Sequence, residues 1–215
     1  YYSIVNEAGY VSACSPSVSS GGQTIYGANN YPTTMYGVNP DYLEIRKYSV
    51  AEGEMFSEQD ILSSAKVCVI GKTIVDNLFT NGEEPVGKII RFGKIPFRII
   101  GVLASKGYNT MGMDQDDLML APYTTIQKRV LAITHLQSIF CSALTEEKTE
   151  DAEAEISSIL RRNHKLKDVD DDDFNIRSQQ ELSTMMNSTT DMMTMLLACI
   201  AGISLLCLLY TSPSP

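Results

Sequence analysis

The chain of 215 residues contains no tryptophan, two histidines and five cysteines, and these scarcities limit the chemistry it can perform. The cysteines stand far apart, with no Cys-x-x-Cys pair and no neighbouring histidine to complete a zinc site; they are Cys14, Cys68, Cys141, Cys199 and Cys207. We therefore expect neither a disulfide framework nor a metal centre, and we interpret Cys68 and Cys141 as small apolar residues on strands. The sequence predicts no cofactor on this chain.

Basic residues are too few for a nucleic-acid-binding protein. The chain has 17 Lys and Arg residues against 26 Asp and Glu residues, a net charge of −9, and the basic residues are scattered along the chain with at most two in succession. A protein that follows a phosphate backbone needs a concentrated positive surface. Nucleic acid is therefore not an expected partner.

Two short motifs suggest a ligand, but each lacks a required residue. Gly71-Lys72-Thr73 matches the end of a P-loop, whose first glycine would stand at position 66, where this chain has lysine. An EF-hand counted from Asp168 has Asp173 in place of its glycine and Gln179 in place of its bidentate glutamate. We interpret Gly71 as a turn between a strand and a helix, and the acidic run 168–173 as a solvated turn.

Catalytic patterns are also missing. His135 and His164 have no Ser or Cys nucleophile pattern nearby and are expected at the surface or at a helix end. The methionines between 185 and 195 suggest helix packing at a membrane, with a soft-metal site as the alternative. The chain is predicted not to be an enzyme, although chemistry assembled from distant residues would leave no motif.

The remaining pattern is that of an α+β domain. Residues 85–101, PVGKIIRFGKIPFRIIG, alternate in polarity on both sides of Gly93-Lys94, which predicts a β-hairpin. A strand over 138–144, a helix over 150–164 and a strand over 173–177 predict a βαβ-like unit. Asn39 is predicted to cap a helix that has Pro40 at its first position, and Ser57 to form a capping box with Asp60. Further strands are predicted over 10–15, 23–28, 33–38, 66–70 and 118–121, and a further helix over 73–79.

An uncharged segment runs from Met192 to Tyr210 and approaches the ~20 residues that cross a bilayer. Arg177 is the only basic residue between Lys167 and this segment. An excess of Lys and Arg marks cytoplasmic flanks, so we predict that residues 1–187 lie outside the membrane. A helix starting near Glu181 should enter the bilayer without a break, because no proline or glycine occurs before position 202.

The order of these segments resembles the extracytoplasmic, periplasmic core domain of MacB-type ABC transporter permeases, with the start of the FtsX-like transmembrane region that follows it. The resemblance covers about residues 1–206. It is carried by YGVNPDY at 36–42, Glu52-Gly53 with Phe56 and Asp60, VIG at 69–71 with Leu78-Phe79, PVGK at 85–88 with Ile90, FRIIGVL at 97–103, and Ala121-Pro122. Family members often have Gly-Arg before the phenylalanine, where this chain has Glu54 after Gly53, and we interpret this as a surface change.

The resemblance implies a two-lobed α+β domain over residues 1–187, with a porter-like βαβ lobe and an inserted β-rich lobe at about 33–125, followed by the start of a transmembrane helix at 188–206. It implies structural roles for the family-motif positions Gly37, Pro40, Gly53, Gly71, Phe79, Gly87, Gly101 and Pro122, and no catalytic, cofactor or metal site. The implied partners are an ABC ATPase domain or subunit, a second permease in a homodimer or heterodimer, a membrane-fusion adaptor protein and membrane lipid.

The final segment, CLLYTSPSP at 207–215, resembles the translation of a transposase-type sequencing adaptor. The family would continue after Leu206 with a Gly-rich membrane helix. We therefore expect a native apolar segment from Met192 to Leu206, which at 1.5 Å per residue measures ~22 Å and falls short of a ~30 Å hydrocarbon core.

The function implied by the resemblance is that of a permease component in the cell membrane. Its external domain would couple ATP-driven helix motion to the export of an antibiotic, peptide or lipoprotein. One alternative is an FtsX-like regulatory scaffold that docks a cell-wall hydrolase. The other is a membrane-anchored enzyme.

Overall fold

The computed structural model describes residues 1–109, 112–167 and 171–211. It divides into two units, residues 1–148 and residues 149–215. The first unit contains the strands β1 Val11–Tyr26, β2 Asn29–Val38, β3 Val50–Gly53, β4 Val67–Ile70, β5 Ile89–Phe92, β6 Ile95–Leu103, β7 Met119–Pro122 and β8 Ser138–Ala143. Its helices are α1 Tyr2–Glu7, α2 Asp41–Arg46, α3 Glu58–Ser63, α4 Lys72–Leu78 and α5 Tyr123–Thr125, the last continued by a π-helical turn over Ile126–Leu131. The mixed α and β content predicted from the sequence is confirmed, whereas the lobe boundaries near 33 and 125 stay a prediction.

Six of the strands pair around a closed cycle, in the order β1, β2, β7, β4, β6, β5 and back to β1. The β2–β7 and β4–β6 pairs are parallel, and the other four pairs are antiparallel. β3 pairs with the far end of β6, and β8 pairs with the first half of β1. Closure leaves these six strands with few unpaired edges, which protects the sheet from pairing with other chains.

The predicted hairpin is present as β5 and β6. Phe92 pairs with Ile95 across Gly93-Lys94, and Gly93 has a φ of 58°. A two-residue turn with a left-handed first residue matches the twist of the flanking strands, which explains why glycine stands there.

Both faces of the sheet are buried, and alternate residues of one strand point to different clusters. On β4, Val67 and Val69 contact a cluster that includes Tyr42 of α2 and Phe56, while Cys68 and Ile70 contact a cluster that includes Phe97 of β6. The continuous apolar sequence of this strand follows from burial on both sides.

The two predicted helix starts have different outcomes. Ser57 accepts a hydrogen bond from the Asp60 N–H at 3.4 Å, and the Asp60 carboxylate accepts one from the Ser57 N–H at 2.8 Å, which confirms the capping box. The prediction that Asn39 caps α2 is wrong. Pro40 occupies the N-cap position, and the buried Asn39 side chain donates instead to the Cys14 carbonyl at 3.0 Å.

The predicted βαβ-like unit is only partly formed. β8 is present, and in the second unit α6 covers Thr149–His164, but residues 173–177 form no strand. The side chain of Asp173 lies 2.7 Å from Nδ1 of His164 at the end of α6, and Asp172 pairs with Arg161. These contacts hold Asp172 and Asp173 beside α6, the helix that precedes them. β8 pairs with β1 and not with this segment. Residues 168–170, part of the predicted acidic turn, lie outside the described residues.

The remaining helix of the second unit is α7, Gln179–Thr211. It is continuous over 33 residues, as predicted from the absence of proline and glycine before position 202. Within it, residues 188–207 form a segment long and apolar enough to cross a membrane, judged by length and composition. This is the one such segment in the described part of the chain.

Candidate functional site

The closest backbone approach among the family-motif positions involves Gly71, between β4 and α4. The Gly71 N–H donates to the Leu118 carbonyl at 2.9 Å, and a Cβ atom at Gly71 would lie 2.0 Å from the Asp116 carbonyl oxygen. Real Cβ atoms do not approach backbone that closely, so only glycine fits. Gly71 therefore serves close packing between the sheet and the loop that precedes β7.

The Gly71-Lys72-Thr73 tripeptide carries no phosphate cradle in this structure. α4 has 7 residues, and Lys72 pairs with Asp76 one turn later, with Nζ and Oδ1 2.8 Å apart. The Thr73 hydroxyl donates to Oδ2 of Asp114 at 2.6 Å. The lysine and the hydroxyl of the tripeptide are thus both engaged with carboxylates, and the geometry agrees with the interpretation of Gly71 as a structural turn.

Asp116 organises the loop against which Gly71 packs. Its carboxylate is buried and accepts hydrogen bonds from the Lys106 N–H at 2.7 Å, the Gly107 N–H at 3.0 Å and the Ser105 hydroxyl. Burial acts to raise the pKa of Asp116, but the hydrogen bonds from Lys106, Ser105 and Gly107 outweigh it and lower the pKa below its usual value. The ionised carboxylate thus fixes the start and the end of the loop relative to each other.

A second close approach joins β3 to β6. Gly53 pairs with Gly101, and a Cβ at Gly101 would lie 2.6 Å from the Glu54 carbonyl oxygen. Gly53 has a φ of 74°, and a Cβ there would lie 2.1 Å from the Ile100 carbonyl oxygen, which accepts from the Glu54 N–H at 3.0 Å. Two glycines therefore allow the chain to turn out of β3 directly against β6.

A third group of motif positions lies where β2 and β7 run in parallel. Val38 pairs with Pro122, and a Cβ at the neighbouring Gly37 would lie 2.7 Å from Val18 and 2.8 Å from Ile126. Because Gly37 has no side chain, the π-helical turn that begins at Ile126 packs directly on the sheet.

The remaining motif positions have separate local roles. Pro40 is the N-cap residue of α2, and Phe79 is the C-cap residue of α4, with its ring centroid 4.3 Å from that of Tyr26. Gly87 has a φ of 84° in the turn closed by the Lys88 N–H and the Pro85 carbonyl. The eight positions are thus distributed over the first unit, not gathered in one place. Four of them, Gly37, Gly53, Gly71 and Gly101, are points of close packing.

Sequence reasoning missed the long-range contacts of two polar residues that connect distant segments. Asn39 is buried and joins the Cys14 carbonyl to the Tyr1 hydroxyl, which lies 3.1 Å from its Nδ2 atom. Asp116 closes the loop beside Gly71. The sequence shows a polar residue next to a buried strand at each position, and a cap pattern at Asn39, but neither signal indicates these partners.

The predicted absence of a metal centre stays a prediction. Over the described ranges no three His, Cys, Asp or Glu side chains come together in a way that could hold an ion. His135 and His164 are both exposed, as expected.

Comparison with known proteins gives this architecture a family. The family model of the MacB-like periplasmic core domain matches residues 1–159. The chain belongs to this family. The resemblance found in the sequence is therefore confirmed, and the described core of strands and close-packed glycines is a MacB-like periplasmic core domain.

One curated relative is much longer than this chain. The macrolide export ATP-binding/permease protein MacB of Syntrophobacter fumaroxidans is 34% identical over 94% of this chain, but the match covers only 36% of that relative. The chain thus spans about a third of the length of the relative.

Two solved structures share the MacB-like fold. The periplasmic region of MacB from Actinobacillus actinomycetemcomitans has a TM-score of 0.71 and 23% identity, and the match covers 85% of this chain and 79% of that one. The extracellular domain of the noncanonic ABC-type transporter YknZ from Gram-positive bacteria has a TM-score of 0.65 and 21% identity, with 77% and 84% covered. These identities establish the fold alone.

Proposed function

We propose that this chain is the external domain and first following membrane helix of an ABC transporter permease, and that it transmits helix motion to a substrate path. The observation that carries the proposal is the continuity of α7. Its 33 residues measure ~50 Å at 1.5 Å per residue and contain both a polar first part and the apolar segment 188–207. A helix without a break transmits displacement along its axis, whereas a flexible linker absorbs it.

The packing of the first unit supports the same role. Backbone-to-backbone approaches at Gly71, Gly101 and Gly53 leave no room for a side chain. Densely packed interiors have low compressibility and pass strain on to their neighbours. A domain built in this way suits a mechanical part better than a deformable binding surface.

The rest of the assembly is proposed from the family. ATP would be hydrolysed by a nucleotide-binding domain, fused or separate, and two permeases would form a dimer with a membrane-fusion adaptor as a further partner. Residues 1–187 would lie outside the cell membrane, because the segment before Met192 lacks the Lys and Arg excess of a cytoplasmic flank. The exported substrate would be an antibiotic, peptide or lipoprotein.

The test is an insertion in the full-length transporter. A seven-residue Gly-Ser linker between Gln180 and Met186 should leave the external domain folded and ATP hydrolysis present, but should reduce export by at least tenfold. The matched control is an insertion of seven Ala, Glu and Lys residues at the same point. These residues favour helix, so α7 should stay unbroken. Seven residues are nearly two helical turns, so the side chains after the insertion keep almost the same direction around the helix axis.

A second control places the Gly-Ser linker between Asn81 and Gly82, in an exposed turn outside any helix or strand. Export should be unchanged there. If the linker in α7 leaves export at the level of this control, the mechanical role is wrong. The external domain would then be a docking surface for a partner, as in an FtsX-like scaffold.

A further inference from the structure

Two cysteines that are 127 positions apart in the sequence face each other in the fold. Cys14 of β1 and Cys141 of β8 are directly paired in the antiparallel register, and their Sγ atoms lie 2.9 Å apart. Opposed residues in such a pair have Cα atoms about 4.5–5.5 Å apart, which is within the range of about 4.4–6.8 Å that a disulfide spans. The strand pairing therefore suits a disulfide, which requires the two Sγ atoms to close from 2.9 Å to about 2.05 Å.

The local hydrogen bonding also suits a bridge. Pro16, two residues after Cys14, has no N–H, so its pair with Ile139 cannot be one that exchanges two backbone hydrogen bonds. Because the two kinds of pair alternate, Cys14 and Cys141 belong to the non-hydrogen-bonded kind, in which side chains are closest. The Cys14 carbonyl accepts instead from Nδ2 of Asn39 at 3.0 Å, which is consistent with backbone groups that turn away from β8.

The two thiols differ in reactivity. Cys141 is partly exposed, and the hydrogen bond from Cys14 lowers the pKa of its thiol. Cys14 is buried, and its contact with Cys141 and its burial raise the pKa of its thiol. Cys68 is also buried, and desolvation raises the pKa of its thiol, so it should not react. Cys141 is therefore the thiol that meets an external oxidant first.

We propose that Cys14 and Cys141 form a disulfide that joins β1 to β8 in the folded domain. The oxidant is an external disulfide, either that of a dithiol oxidase or glutathione disulfide. The Cys141 thiolate attacks one sulfur of the oxidant, whose S–S bond breaks and releases one thiolate, which takes up a proton. The Cys14 sulfur then attacks Sγ of Cys141, loses its proton to water and displaces the second thiol. Two protein thiols are oxidised and one external disulfide is reduced.

In the cell this step rests on the proposed function, because the extracytoplasmic side is oxidising and the cytosol is not. The bridge would covalently connect the strand that follows α1 to the last strand of the first unit. Because it closes a long loop, oxidation should raise the melting temperature of the first unit by on the order of 10 °C.

The experiment uses the whole chain in detergent with Cys199 and Cys207, both exposed, replaced by serine. The protein is incubated with glutathione disulfide, denatured, alkylated and digested with trypsin without reduction. The expected product is a linked pair of the peptides 1–46 and 130–148, with Cys68 alkylated in its own peptide, 67–72. Dithiothreitol should abolish the linked pair and lower the melting temperature again.

Three variants control the measurement. Cys14→Ser and Cys141→Ser should each abolish the linked peptide and the redox-dependent shift in melting temperature, whereas Cys68→Ser should leave both in place. If Cys14 and Cys141 of the parent protein are still fully alkylated after an incubation that oxidises free dithiothreitol, the proposal is wrong. This result needs no variant to fold and does not depend on location or transport, so it is distinct from the outcome of the linker insertion in α7.

Discussion

Replacing Gly71 with alanine should destabilise the domain by about 2 kcal/mol. The added Cβ would lie 2.0 Å from the Asp116 carbonyl oxygen and 2.8 Å from its carbon. Relief requires the loop to move, but its ends are held by the hydrogen bonds from Lys106 and Gly107 to the Asp116 carboxylate. Overpacking costs about 1–3 kcal/mol, and an overlap with backbone at 2.0 Å belongs at the upper end of that range. A less flexible unfolded chain returns about 0.4–1 kcal/mol, which leaves the net cost of about 2 kcal/mol.

The matched control is Gly21→Ala. Gly21 lies in β1 with nothing within 4 Å of its added Cβ and without a left-handed φ. Alanine should therefore be tolerated at position 21, with stability equal to the parent protein or higher by about 0.4–1 kcal/mol.

Urea unfolding in detergent, followed by the near-ultraviolet circular dichroism of tyrosine, measures the difference. The chain has no tryptophan, and all of its 11 tyrosines except Tyr210 lie in the first unit. The melting temperature of Gly71→Ala should fall by roughly 4–8 °C. Equal stabilities of the Gly71→Ala and Gly21→Ala proteins would refute the close-packing argument and reopen a ligand-binding role for the turn.

Two further predictions concern the same loop and turn. Asp116 should stabilise the folded state at neutral pH, because folding favours its ionised form and lowers its pKa. This stabilisation should be lost as the pH falls below about 4 and passes through the lowered pKa of the folded state. Asp116→Asn should therefore cost about 1.5–3 kcal/mol at pH 7 and flatten the fall in stability between pH 4 and pH 2, as urea titrations at several pH values would reveal. The chain alone should not bind ATP, and Lys72→Ala should change its stability by less than about 0.5 kcal/mol, because the pair with Asp76 is exposed. Micromolar ATP binding in calorimetry that disappears in Lys72→Ala would contradict the structural assignment of the turn.

Local signals in the sequence determined several elements. The hairpin of β5 and β6 follows from alternation on both sides of Gly93-Lys94, and the start of α3 follows from Ser57 and Asp60. The continuity of α7 follows from the absence of helix breakers. In each case the residues that decide the structure are a few positions apart, so short-range physics suffices.

Other outcomes depended on which segments meet in space. Residues 173–177 are predicted as a short strand, but Asp173 pairs with His164 at the end of α6, and β8 pairs with β1. Asn39 has the type and position of a cap, yet its side chain bonds the Cys14 carbonyl instead. A polar side chain bonds the best-placed partner in the folded chain, which a local pattern does not specify.

The packing contacts and the cysteine pair also separate what the sequence determines from what the tertiary structure determines. The sequence by itself determined the family, through an ordered set of short motifs that includes Gly71 and Gly101. Only the tertiary structure decided why these positions exclude a side chain, because the carbonyl oxygens of Asp116 and Glu54 come from other segments. It also placed Cys14 opposite Cys141, two thiols that no sequence pattern connects. Strand pairing brings such residues together, and its partners are set by the closure of the whole sheet and not by neighbours along the chain.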